Sequence, residues 1–199
     1  EDDTLFAGLI AGNRMGRGFL DDYAYYAFAL LQMYHTTLDG AYVQRCRRVA
    51  EAAVDSFMDE EQGGFFFSGR DNEQLIMRPK ENEDGALPSG NSVMFYVLRR
   101  LAFLLEDSRW TELATQQRRY MQSVAAAYPA GFAFYLYADL PLREIVCATK
   151  SPEELSGLHL KSNWLFRLGD SKTYPLLNGR TTYYVCQGNT CLPPSNQLP

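Results

Sequence analysis

Long hydrophobic runs are missing from this sequence. No apolar stretch approaches the ~20 residues that a membrane-crossing helix needs, so no such span and no membrane partner are expected. Positive charge is also short: 19 Lys and Arg stand against 24 Asp and Glu, for a net charge of −5. Without a basic field to neutralise phosphates, a general nucleic-acid binder is excluded. The two histidines, His35 and His159, sit in no His/Cys/Asp/Glu cluster with metal-ligand spacing, so neither a metal nor a cofactor is expected. Four cysteines (Cys46, Cys147, Cys186 and Cys191) are too few and too scattered for a disulfide-dense scaffold. A phosphate-cradling glycine loop is absent too, because the glycines between Gly12 and Gly18 lack the surrounding pattern. There is no signal peptide and no initiator Met, and a start at Glu-Asp-Asp-Thr reads as part of something longer. A cytoplasmic setting is the expectation.

What remains is 199 residues, 46% of them hydrophobic. That suffices for one domain with a sizeable core, or one domain and a small appendage. Residues 19–38 are apolar nearly all round after Asp22, as in a helix buried on most sides. Residues 41–58 differ: Val43, Cys46, Val49, Ala50, Ala53, Val54 and Phe57 repeat at threes and fours, with charges between them, as in an amphipathic helix. The alternation repeats, with a mostly apolar helix over 91–105 and an amphipathic one over 109–127. A short apolar helix then runs from Ala133 to Leu140, with Pro129 near its start. Buried and amphipathic helices in alternation predict helical hairpins laid side by side, in a toroid or a solenoid. The runs Gly63–Gly69 and Gln74–Met77 flank a turn at Arg70-Asp71-Asn72, which predicts a β-hairpin near 63–78.

After Leu140 the pattern changes. Strand-like runs at 143–149, 163–168 and 181–185 surround a short helix at 151–155, which predicts a small βαβ-like unit over 141–199. It ends in a C-x4-C segment, Cys186 to Cys191. That spacing is not the redox C-x-x-C. Two cysteines so placed could form a disulfide or trap a thiol partner; the ordinary alternative is a pair of reduced thiols shaping a turn.

The most informative stretch is Arg78 to Ser92, R-P-K-E-N-E-D-G-A-L-P-S-G-N-S. It is polar, turn-rich and longer than the roughly two to eight residues that a helix connection needs. It ends where a buried helix starts, with Ser89 or Asn91 placed to cap that helix. Asp21 and Asp22 in G-F-L-D-D-Y-A likewise stand at the start of a buried helix. If the inner helices start at one end, Asp21, Asp22 and Asp84 share one rim.

These segments resemble a known family. G-F-L-D-D-Y-A, G-G-F-F-F-S, R-P-K-E-N-E-D-G-A-L-P-S-G-N-S and Y-V-C-Q-G-N-T-C-L-P-P resemble, in this order along the chain, four segments of the YyaL / spermatogenesis-associated thioredoxin-domain proteins. The family's biochemical function is unestablished. The resemblance implies a mainly α fold over 1–140, a partial (α/α) toroid of helical hairpins similar to six-hairpin glycosidases, with the small α/β unit after it. It implies a thioredoxin-like domain elsewhere in the full-length protein, missing from this chain. By analogy with six-hairpin hydrolases it implies carboxylate chemistry at the rim, with Asp22 and Asp84 catalytic and Asp21 in support. Lys80, Glu81, Ser89, Asn91 and Tyr23 are then the residues to grip a sugar-like small molecule. Each has an ordinary alternative: capping for the aspartates, Ser89 and Asn91, ion pairing for Lys80 and Glu81, and core packing for Tyr23. His35 lies deep in a buried helix, so the paired histidines of sugar 2-epimerases are not reproduced. The second functional expectation is a non-catalytic ligand- or client-binding module that works with the thioredoxin-like domain. Apolar faces of a partial toroid would also favour self-association.

Overall fold

The computed structural model describes residues 3–72, 77–155, 157–170, 172–188 and 190–198. The first elements were not expected from the sequence. Strands β1 (Phe6–Ile10) and β2 (Asn13–Arg17) pair antiparallel, with Leu9 opposite Arg14 and Ile10 opposite Asn13. The two-residue turn between them, Ala11–Gly12, has positive φ at both positions (50° and 82°), the geometry that follows the natural twist of a hairpin.

Helices α1 (Leu20–Thr37) and α2 (Gly40–Phe57) come next. Leu20, Tyr23, Ala24, Ala27, Leu30, Leu31 and Tyr34 bury one face of α1, while Ala29 and Met33 are exposed, so α1 is less enclosed than its composition predicts. On α2 the buried set is Val43, Cys46, Val49, Ala50, Ala53 and Phe57, following the apolar repeat. Helix α3 (Gly90–Leu105) is buried without a break from Gly90 to Leu98 and packs against α2, α4 (Ser108–Ala125) and α5 (Ala133–Asp139). Ser89 caps α3 by accepting the Ser92 N–H, and Asp107 caps α4 by accepting the Arg109 N–H.

The chain divides into two compact units. One takes the residues up to Gln32 together with Gly40–Asp139; the other takes Met33–Asp39 with the residues from Leu140 onward. The second unit holds a four-stranded sheet in the order β4-β3-β5-β6. Its strands are β3 (Arg143–Ala148), β4 (Trp164–Leu168), β5 (Thr182–Gln187) and β6 (Thr190–Cys191). β3 and β4 run parallel, joined through a one-turn helix at Pro152–Leu155, and the other pairs are antiparallel. Ile145, Cys147, Leu155, Trp164, Phe166 and Val185 form the core of this unit. Leu38 packs against that core, and the Tyr34 hydroxyl donates to the Phe166 carbonyl at 3.0 Å.

The expected mainly α, partial (α/α) toroid is overturned. Five α-helices are accompanied by six strands in two sheets among the described residues, and the molecule is mixed α/β. The physical reason lies at both ends of the sequence. The Ala11–Gly12 turn converts an unassigned N-terminal stretch into a hairpin. The β-branched and aromatic runs after Leu140 build a full sheet with its own core. In the expected hairpin near 63–78, Phe65 forms an isolated antiparallel bridge with Met58, not with the later run. Of that later run, Gln74, Leu75 and Ile76 lie outside the described residues.

Candidate functional site

The Arg78–Ser92 segment is tied to its surroundings by buried side chains. Asn91 has no exposed surface. Its Oδ1 accepts the Phe65 N–H at 2.8 Å, and its Nδ2 donates to the carbonyls of Phe65 (2.9 Å) and Glu81 (3.0 Å). The Ser89 hydroxyl donates to the Asn82 carbonyl at 2.8 Å while capping α3. One amide and one hydroxyl thus hold three backbone segments together.

The aspartates are committed to backbone N–H groups as well. Asp22 Oδ2 accepts the Phe19 N–H at 2.8 Å, reaching back over the start of its own helix. Asp84 Oδ1 accepts the Ser89 N–H at 2.8 Å, and its Oδ2 accepts the N–H groups of Phe134 (2.7 Å) and Tyr135 (3.3 Å) at the start of α5. A carboxylate facing free N–H groups at a helix start is favoured by charge as well as by hydrogen bonding.

Asp21 differs. It is half-buried, and burial first, then the charges of Glu81 and Asp22, push its carboxyl above the usual range, against a hydrogen bond from the Gly90 N–H. Gly90 is needed there, because a Cβ would lie 2.4 Å from Asp21 Oδ1 and 2.9 Å from the Leu20 side chain. Burial and the charges of Asp21 and Asp84 raise the nearby Tyr25 phenol, whose hydroxyl donates to the Pro88 carbonyl at 2.6 Å. Asp21, Glu81, Asp84 and Tyr25 are therefore electrostatic neighbours at one end of α1 and α3.

Lys80 is elsewhere. Its ammonium is 2.8 Å from Asp59 and donates to the Gly63 carbonyl at 2.6 Å, between the rings of Phe66 and Tyr120. The Lys80 hydrogen bond, helped by the Gln62 N–H, lowers the Asp59 carboxyl. These groups line an open cavity of about 730 Å³ with Arg70 and Arg78. Tyr23 is a core residue: its hydroxyl accepts the Leu5 N–H at 2.9 Å and its ring meets Phe57 edge-on. Two further cavities, of about 520 and 350 Å³, lie beside the β1–β2 hairpin and in the second unit. None of these three is lined by Asp21, Asp22 or Asp84.

Cys186 and Cys191 face each other across β5 and β6 and are joined in a disulfide. Cys191 is exposed and Cys186 partly so. Cys46 and Cys147 are free and buried, which raises both thiols, Cys147 to about 12. Among the described residues no group of His, Cys, Asp and Glu could hold a metal ion, and no helix is long and apolar enough to cross a membrane.

No family model matches the chain. It is similar to spermatogenesis-associated protein 20 of Homo sapiens, 27% identical over 202 residues that cover 89% of this chain and 26% of that protein. An uncharacterized protein of Caenorhabditis elegans is 28% identical over 90% of this chain and 27% of its own length. The Rattus norvegicus spermatogenesis-associated protein 20 is 32% identical over 117 residues, 56% of this chain and 15% of that protein. The chain thus spans about a quarter of the length of the first two relatives. By sequence, the chain is similar to the proteins named spermatogenesis-associated protein 20 of three mammals.

Proposed function

We propose that the chain is a non-catalytic ligand- or client-binding module that works with a thioredoxin-like domain of the same full-length protein. One observation carries the reading: an exposed disulfide at the tip of a short hairpin, on a strand of two residues. An attacking thiolate can reach Cys191, which buried Cys46 and Cys147 do not offer. A thiolate of the reduced thioredoxin-like domain attacks Cys191 Sγ, the S–S bond breaks, and its electron pair leaves on Cys186 Sγ, which takes up a proton. The domain's second thiol then attacks the mixed disulfide, releasing Cys191 as a thiol and leaving the domain oxidised. In a cytoplasmic setting such a disulfide is transient rather than structural.

The test is capture by a thioredoxin-like domain lacking its resolving cysteine. A mixed disulfide through Cys191 is expected with the native chain and none with Cys186→Ser/Cys191→Ser. Equal capture of both removes the proposal.

A second reading, a carbohydrate-active hydrolytic site, is favoured by Asp21 beside Glu81, since burial and the neighbouring charges raise its carboxyl, the direction a general acid needs. It moves the acid role from Asp22 and Asp84, whose oxygens are held by backbone N–H groups, to Asp21. Asp21→Asn should abolish hydrolysis of an aryl glycoside by the full-length protein; unchanged turnover rejects it.

A further inference from the structure

Net charge is −5, yet three arginines converge on one concavity. Arg14 comes from β2, and Arg45 and Arg48 stand three residues apart on α2. The cavity between these elements measures about 520 Å³, within the roughly 300–1,000 Å³ of small-molecule sites. Arg14 lies over the Phe6 ring at 4.8 Å and Arg45 over the Tyr26 ring at 5.4 Å. A guanidinium held against an aromatic ring is restrained there while its N–H groups stay able to donate. Among the described residues no carboxylate pairs with Arg14 or Arg45. Arg48 is held by Asp3, its Nε 3.4 Å from the carboxylate.

We infer that this cavity binds a phosphorylated small molecule through Arg14 and Arg45, with Asp3 competing for Arg48. Two pre-oriented guanidiniums meet a phosphate in the bidentate geometry such anions favour. The volume exceeds what a bare phosphate fills, which leaves room for an organic group beside Thr4, Leu5 and Tyr26. Asp3 is the intrinsic rival: its carboxylate occupies the third cation and adds negative charge where the ligand's would go.

Calorimetric titration of the whole chain at low salt, with glucose 6-phosphate, glucose and inorganic phosphate as probes, tests this. Glucose 6-phosphate is expected to bind at least about tenfold more tightly than glucose, which lacks the anion, and than inorganic phosphate, which lacks the organic group. Arg14→Gln and Arg45→Gln should each weaken it about tenfold. Asp3→Asn should strengthen it by freeing Arg48. All three side chains lie at the surface, and circular dichroism checks that each variant is folded. Glucose binding as well as its phosphate, inorganic phosphate binding as well as the ester, no heat from any probe, or unchanged affinity in Arg45→Gln each overturns the proposal. Weakening by Asp3→Asn does the same.

Discussion

Asn91 satisfies both the N–H and the carbonyl of Phe65, and Gln117 Nε2 donates to the Asn91 side chain and carbonyl in turn. Asn91→Ala leaves the Phe65 N–H and carbonyl without this partner, while Gln117 keeps the backbone carbonyl of residue 91, at a cost of about 3 kcal/mol. Urea unfolding should show that loss, whereas Ser89→Ala, which removes a cap and the hydroxyl's contacts with the Asn82 carbonyl and the Ser92 hydroxyl, should cost about 1 kcal/mol. Asp21 behaves oppositely to a paired acid. Its folded value lies above the unfolded one, so the native state holds the proton more tightly. Its contribution to stability is therefore complete below the unfolded value and declines as pH rises through the folded one. Asp21→Asn should flatten the stability profile just above the usual aspartate range and leave the variant no less stable than the native chain at pH 7; a steeper fall than native in that range contradicts it. From the sequence, Ser89 and Asn91 are legible as residues at a helix start. Asn91's tie to Phe65 is not, because it depends on a segment 26 residues away in the chain. For Asp22 and Asp84, sequence position is the same whether a carboxylate caps a backbone or meets a ligand. The difference is a matter of which N–H groups lie within 3 Å.

At the scale of elements, periodicity reveals the helices well. The repeat of Val43, Cys46, Val49, Ala50, Ala53 and Phe57 is the buried face of α2, since threes and fours coincide with the turn of a helix. The β1–β2 hairpin escapes because all ten of its strand residues are exposed, so no burial alternates with polarity to mark it. Its one signal is the short turn at Ala11–Gly12. The β5–β6 hairpin makes an element-level prediction. Beyond the disulfide, the tail is held by mutual backbone hydrogen bonds between Tyr183 and Ser195 and by the Asn196 amide on the Thr181 carbonyl. Reduction should therefore lower stability by about 2 kcal/mol, the entropy of so short a loop, without melting the sheet. Denaturation with and without dithiothreitol measures this, and far-UV circular dichroism should be unchanged. Collapse of the β signal on reduction would mean that the disulfide, not the tail, holds the edge.

Whole-molecule architecture is where reading along the chain is least secure. Alternating buried and amphipathic helices are equally compatible with many arrangements, and the choice falls to strands whose partners are far away in sequence. The second unit shows this most clearly, because it is discontinuous: Met33–Asp39 belongs to it along with the residues from Leu140 onward. Those seven residues carry Leu38, which packs on the core of Ile145, Trp164 and Phe166, and Tyr34, which hydrogen-bonds the Phe166 carbonyl. A boundary drawn near residue 141 from sequence alone separates this sheet from part of its own covering. A polypeptide starting at Leu140 should accordingly bury too little apolar surface to hold a fixed core, since a unit of about 60 residues is already marginal. Its proton NMR spectrum should show poor dispersion and its near-UV signal should be weak, while the same signals are sharp in the whole chain. Adding a synthetic peptide of residues 20–39 should restore dispersion, and the same peptide with Tyr34→Ala and Leu38→Ala should not. A well-dispersed spectrum from the isolated polypeptide would show instead that the sheet closes its core with the residues after Leu140 alone, and that the last turns of α1 merely rest on it.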